Sequence, residues 1–176
     1  MKLVRRIRYL CIVLAGCVIA GGCSSSTSTG FKPAEFVAPD AKTISVPIFA
    51  NDSFYRGVEF DLTEALIKEI ELRTPYKVVR GTAADTTLTG NVRAVKQRVL
   101  SRAFEGGIGQ EIQVSVAANF EWLDMRSGKV LRKRSRVIGT GEYIPARAVG
   151  EPLQTGVHDA VSEIARDIVS TMYSDW

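Results

Sequence analysis

The chain has few of the side chains from which most catalytic and metal sites are built. Its 176 residues include one histidine, His158, and three cysteines, Cys11, Cys17 and Cys23. Any histidine-based triad or metal site would depend on His158 alone. All three thiols precede the bulk of the chain, which excludes a cysteine metal site and a disulfide framework from the rest of it. We predict that the protein is not an enzyme and that it holds no metal and no cofactor.

Charged side chains are absent between Arg8 and Lys32, and this absence indicates a targeting segment. Four basic residues precede an apolar run of 14 residues, 9–22, which is typical of a secretory signal peptide. A helix of that length spans ~21 Å and falls short of a ~30 Å hydrocarbon core. Without residues 1–22 the chain has 19 basic and 19 acidic residues. The positive net charge therefore belongs to the signal, and no nucleic-acid partner is predicted.

Two cysteines follow small residues in segments that resemble a lipobox, the sequence at which bacterial lipoproteins are cleaved and lipidated. They are "LAGC" (14–17) and "AGGC" (20–23). Cys17 has the more typical leucine before it, whereas Cys23 follows a longer apolar run and precedes "SSSTSTG", a flexible tether. We therefore predict lipidation at Cys23, with Cys17 as the alternative. Cleavage by an ordinary signal peptidase, without a lipid, is the third possibility.

Hydrophobic periodicity in the rest of the chain predicts a single domain with the element order β-α-β-β-β-β-α. The predicted strands cover 42–49, 76–80, 87–102, 111–124 and 129–143, and the helices cover 57–75 and 151–173. Hairpin-joined strands with helices on one face form an α+β two-layer sandwich. We expect a mixed, mostly antiparallel sheet of four or five strands with both helices on one face. The predicted organisation is a signal peptide (1–22), a lipid-attached tether and extended lead-in (23–41) and the folded domain (42–176).

Three local features carry further predictions. Pro47 lacks an N–H group, so the first strand should lie at a sheet edge or turn this nitrogen away from its neighbour. The segment "ANDS" (50–53) predicts a turn. The apolar residues change parity between Val92 and Val95, which predicts a β-bulge near 93–94.

The segment "LRKRSR" (131–136) is a cluster of basic residues with no nearby acid. Strand parity predicts that Arg132, Arg134 and Arg136 share one face, where they would bind a phosphate or carboxylate-rich ligand. The alternative is a solvated edge strand whose charges prevent aggregation. The glycine-rich "EGGIG" (105–109) joins two predicted strands, so it lacks the helix N-terminus of a phosphate cradle and is interpreted as a hairpin tip.

Several segments together resemble the LPS-assembly lipoprotein family, LptE. They are the lipobox, the serine-rich tether, "ISVPIFANDSFYRGVEFDLTEALIKEIELRTPYKVV" (44–79), "LTGNV" (88–92) and "VSVAANFEWLDMRSGKVL" (114–131). The resemblance implies an outer-membrane lipoprotein that faces the periplasm on a palmitate-bearing lipid anchor. It also implies a small sheet covered by two helices. Family members sit inside the β-barrel of the translocon protein LptD and help to deliver lipopolysaccharide to the outer leaflet. Ser24, after Cys23, is compatible with outer-membrane sorting in that setting.

The resemblance implies three partners: an LptD-like barrel, lipopolysaccharide and the membrane that holds the lipid anchor. A plug of this kind touches the barrel wall through its loops. The candidate partner-contact loop is Phe104, Glu105, Gly106 and Gly107, and the turn 125–128 is a second contact point. The alternative function is a periplasmic lipoprotein module of a secretion pore or an activator of a cell-wall synthase.

Overall fold

The computed structural model of the protein describes residues 36–81, 83–100, 111–145 and 152–173. Both candidate lipidation sites and the candidate partner-contact loop at 104–107 lie outside these residues. The described elements, in chain order, are β1 (Thr43–Ser45), β2 (Ala50–Asn51), α1 (Val58–Arg73), β3 (Lys77–Val78), β4 (Thr86–Val99), β5 (Ile112–Asp124), β6 (Val130–Tyr143) and α2 (Leu153–Ser170).

The strands form one mixed sheet of six strands in the order β3-β1-β4-β5-β6, with β2 pairing with β4 beside this path. The short strands pair in parallel: β1 pairs with β3 and β4, and β2 pairs with β4. The long strands pair antiparallel, β4 with β5 and β5 with β6. The predicted α+β sandwich with a mixed, mostly antiparallel sheet is confirmed. The predicted strand number was slightly low, because β2 was not expected.

One hydrophobic core lies between the sheet and the two helices. In α1 the residues Val58, Leu62, Leu66 and Ile70 are fully buried, as expected for an apolar stripe at helical spacing. The helix begins after Gly57, which has a φ of 96°, and ends at Arg73. The apolar stripe of α2 is buried in the same way; its members are Val157, Ala160, Val161, Ile164, Ala165, Ile168, Val169 and Met172.

The segment around Pro47 differs from the prediction. Strand β1 ends at Ser45 and lies between β3 and β4, so the expectation of an edge strand through Pro47 is wrong. Beyond the end of β1, Ile48 is 62% exposed and Phe49 is buried. Gly90 makes the site for the Phe49 ring, since a Cβ at Gly90 would lie 2.2 Å from Phe49 Cε1.

The segment 50–53 is only partly the predicted turn. Ala50 and Asn51 form β2, which pairs with Asn91 and Val92 of β4. The next residue, Asp52, donates its N–H to the carbonyl oxygen of Val92 at 2.9 Å. The prediction of a turn from Ala50 onwards is therefore wrong.

The long strands match their predicted patterns. Strand β4 has a register shift against β5 between Val92 and Ala94, so the predicted bulge is confirmed. The inward face of β5 is buried as its alternation predicts, and it consists of Val114, Val116, Ala118, Phe120 and Trp122. The opposite face of β5 is only partly buried. Strand β5 therefore has one face on the core and one face toward solvent.

An aromatic cluster holds the first described residues against the end of α2. Phe36 lies 4.8 Å from Tyr173 and 5.6 Å from Tyr76, between ring centroids. Val37 donates its N–H to the carbonyl oxygen of Met172 at 3.0 Å. Burial raises the pKa of Tyr76 to about 12.

In the described part of the chain, no helix is long and apolar enough to span a membrane.

Candidate functional site

The described residues contain no cluster of three or more histidine, cysteine, aspartate or glutamate side chains that could hold a metal ion. His158 lies exposed on α2. The chemistry that the described surface offers therefore comes from its charged side chains.

A basic concavity lies on the face of the sheet that the helices leave open. It has a volume of about 380 Å³ and spans β4, β5 and β6. Its lining consists of Arg93, Ala94, Lys96, Ser115, Ala117, Ala118, Ser135, Arg136 and Ile138. The cations Arg93, Lys96 and Arg136 surround small and apolar side chains. The concavity therefore combines positive charge with an apolar floor.

The position of Arg136 results from a second bulge. Strand β5 pairs Ala118 with Val137 but Phe120 with Arg134, so β6 has one residue more than β5 between these pairs. A one-residue change of register moves a side chain to the other face of a sheet. Arg136 therefore lies in the basic concavity, away from the helices.

The predicted row of three arginines on one face is therefore wrong. Arg132 donates from Nε to the carbonyl oxygen of Thr171 at 3.1 Å, at the C-terminal end of α2. Arg134 forms an ion pair with Asp167 at 3.1 Å. Both guanidinium groups are engaged with α2, where a cation at a helix C-terminus is favourable. Only Arg136 of the three lies on the open face.

The three cations of the basic concavity differ in their partners. Arg93 Nη1 lies 2.5 Å from Asp52 Oδ2, which also accepts from Asn91 Nδ2. Within the described residues, no carboxylate lies at ion-pair distance from Lys96 or Arg136. Both are exposed. Among the described residues, Lys96 and Arg136 are thus the cations of the concavity that have no acidic partner and can meet an anionic ligand.

Lys96 and Arg93 were not among the residues singled out from the sequence. The predicted bulge near 93–94 was the available signal, because it sets which face the following side chains occupy. The bulge in β6 gave no such signal. It falls among charged residues, so no alternation of apolar residues changes there. A lysine binds a phosphate or carboxylate as a point charge, whereas an arginine binds it as a bidentate hydrogen-bond donor.

The comparison with known protein families identifies the family to which this chain belongs. The family model described as LptE, lipopolysaccharide-assembly, matches residues 41–175. The chain belongs to the LptE family. LptE membership assigns it broadly to lipopolysaccharide assembly, as a membrane-associated lipoprotein of a non-catalytic family that works with the transport machinery. Comparison with curated protein sequences gives no match.

Three solved structures with a similar fold are distant from this chain in sequence. A PelC dodecamer from Paraburkholderia phytofirmans has 16% identity and a TM-score of 0.46, with coverage of 76% of this chain and 90% of that one. The lipoprotein GNA1162 from Neisseria meningitidis has 11% identity and a TM-score of 0.42, with coverage of 73% and 96%. A minor lipoprotein from Acinetobacter baumannii has 14% identity and a TM-score of 0.42, with coverage of 76% and 97%.

Proposed function

We propose that this LptE chain is an outer-membrane lipoprotein that assembles with an LptD-like β-barrel and assists lipopolysaccharide transport to the outer leaflet. Its role is that of a plug and chaperone, without catalysis. The observation that carries the proposal is the family match over residues 41–175. The anchor is a lipid on Cys23, which follows a removed signal peptide.

The basic concavity supports a direct contact with the glycolipid. Lipopolysaccharide presents phosphate groups beside acyl chains, and the concavity presents Lys96 and Arg136 beside Ala117 and Ile138. Hydrogen bonds between charged groups are stronger than neutral ones. We therefore assign the anionic head to these two cations, in place of the row Arg132, Arg134 and Arg136.

Contact with the barrel is assigned to loops at the two ends of the long strands. Residues 104–107 lie in the sequence between β4 and β5, and the turn 125–128 joins β5 to β6. The second loop is firmly built, because Asp124 accepts hydrogen bonds from Arg126 N–H at 2.9 Å and from Ser127 Oγ at 2.8 Å. A rigid loop loses little conformational entropy when it meets a partner.

Affinity purification from detergent-solubilised membranes tests this function. The proposal expects a large β-barrel to co-purify with the tagged full-length chain, and depletion of the chain to lower lipopolysaccharide at the cell surface. Deletion of 104–109 should lower the yield of barrel while the domain still folds. Recovery of a cell-wall synthase or a ring of the chain itself, in place of a barrel, contradicts the proposal.

A further inference from the structure

The second half of β4 has an open side. Strand β4 pairs with β5 along its whole length, but on its other side it pairs with β1 at Thr86–Thr87 and with β2 at Asn91–Val92 only. Beyond Val92, no strand of the described chain pairs with this side. We call the segment 95–99 on this side the open edge.

The hydrogen-bond pattern shows which backbone groups the open edge presents. Leu100 donates its N–H to the carbonyl oxygen of Glu111, next to β5. Alternate residues of an antiparallel strand bond to the same neighbour. Arg98 and Lys96 therefore bond to β5 as Leu100 does. The residues between them, at positions 95, 97 and 99, direct their N–H and C=O groups outward.

The side chains along the open edge alternate in character. Val95, Gln97 and Val99 lie opposite Val116, Val114 and Ile112, on the helix side of the sheet. Val99 is 45% exposed, so this row of side chains is incompletely covered. Lys96 and Arg98 are exposed on the other face, and neither has a carboxylate partner among the described residues.

We propose that the open edge is a docking site for an extended segment of a partner polypeptide, which adds to the sheet as a strand beside β4. Strand addition supplies backbone hydrogen bonds, and alternate side chains supply specificity. The partner's segment has acidic residues beside Lys96 and Arg98 and apolar residues beside Val95 and Val99. This goes beyond the glycolipid role, because it concerns a polypeptide and the outward backbone groups of β4; Lys96 is the one side chain that the two sites share.

The charges on the open edge decide between the possible occupants. A second copy of this chain, paired along the same edge, would place Lys96 and Arg98 opposite like charges, and such pairs are destabilising. An acidic segment makes favourable cross-strand pairs at the same positions. The competing role for Lys96 and Arg98 is to prevent strand addition, as lysines on sheet edges do. The experiment separates these roles.

The probe is a capped peptide of about six residues, the usual length of a strand, in which valine and glutamate alternate. The full-length protein in detergent micelles is titrated with it, and amide hydrogen exchange is followed by NMR. We expect the peptide to slow exchange at least tenfold at 95, 97 and 99. The amides of Lys96 and Arg98, already bonded to β5, should change little. Absence of this alternating pattern overturns the proposal.

A pair of variants at Gln97 tests the backbone contact. Gln97→Pro removes one outward N–H group, at an edge position that tolerates proline. Gln97→Ala is the matched control, since both variants lose the hydrogen bond from Tyr143 Oη to Gln97 Oε1. We expect the proline variant to bind the peptide about tenfold more weakly than the alanine variant. Equal affinities would contradict strand addition.

A second peptide tests the charge preference. Lysine replaces glutamate at every position, and this peptide should bind at least tenfold more weakly at low salt. Equal binding of both peptides overturns the acidic partner. Protection of the open edge that grows with protein concentration, without peptide, would instead identify a second copy as the occupant. Gln97 lies on the face away from the basic concavity. The comparison of Gln97→Pro with Gln97→Ala can therefore fail while lipopolysaccharide binding at Lys96 and Arg136 is unaffected.

Discussion

Gly139 of β6 lies directly against the backbone of α2 at Ala160. A Cβ at Gly139 would be 2.0 Å from the carbonyl oxygen of Ala160, and one at Gly141 would be 2.1 Å from that of Gly156. Helix α2 therefore rests on a strip of β6 that has no side chains. This contact fixes how α2 covers the core.

Gly139→Ala should destabilise the domain, because α2 must move away from β6 to make room for the methyl group. We expect the free energy of unfolding to fall by roughly 1–3 kcal/mol, as for other overpacked sites. Chemical denaturation measures it. Ile138→Ala is the control, since Ile138 is 44% exposed and lies on the other face. Equal stability of wild type and Gly139→Ala would show that the contact is not tight.

Asp85 should make stability depend on pH in the acid range. Hydrogen bonds from Lys42 N–H, from the Arg126 guanidinium and from Thr43 hold the pKa of Asp85 well below its ordinary value of 3.8. A lowered pKa stabilises the fold above the unfolded-state pKa, and this contribution is lost as pH falls through the folded-state pKa. Asp85→Asn should therefore melt below wild type at pH 7, and the difference should shrink below about pH 4.

The control for this comparison is Glu64→Gln, an exposed position on α1. Its melting temperature should follow that of wild type at every pH. A difference between Asp85→Asn and wild type that stays constant down to the lowest pH would contradict the assigned role of Asp85.

Arg132→Ala should affect stability and leave glycolipid affinity unchanged. The variant loses the hydrogen bond to Thr171 at the end of α2, which is worth about 1 kcal/mol. Thermal melting and a lipopolysaccharide binding assay on the same preparation provide both quantities. A large loss of affinity with unchanged stability would restore Arg132 as a ligand contact.

Mass spectrometry of the mature N-terminus tests the predicted anchor. We expect a diacylglyceryl-modified peptide that begins at Cys23, and Cys23→Ser should abolish membrane attachment. A modified peptide that begins at Cys17 would move the attachment point. An unmodified N-terminus would leave the chain without the proposed anchor.

The sequence predicted the elements that have a strong apolar period. The stripes of α1 and α2, the alternation of β5 and the bulge after Val92 all follow from where apolar residues recur. Strand β2 was missed because two residues have no period, and its pairing depends on Phe49 finding space over Gly90. That contact involves residues about 40 positions apart, which no local pattern contains.

The candidate site was only partly predictable for the same reason. Its basic character was visible in "LRKRSR", but the face that each arginine occupies depends on the β6 bulge opposite Asn119. Charged residues are tolerated on either face at a sheet edge, so their spacing did not reveal the bulge. Lys96 and Arg136 line the same concavity only because β4, β5 and β6 pair in the observed register.

The most direct test of this account is the affinity of purified full-length protein for lipopolysaccharide at low salt. We expect Lys96→Ser combined with Arg136→Ser to weaken binding about tenfold or more, since two charged contacts of about 1 kcal/mol each are lost. The matched control combines Arg132→Ser with Arg134→Ser, which removes the same number of charges next to α2. Unchanged affinity in the first variant, or an equal loss in both, would contradict the assignment of the basic concavity as the glycolipid site.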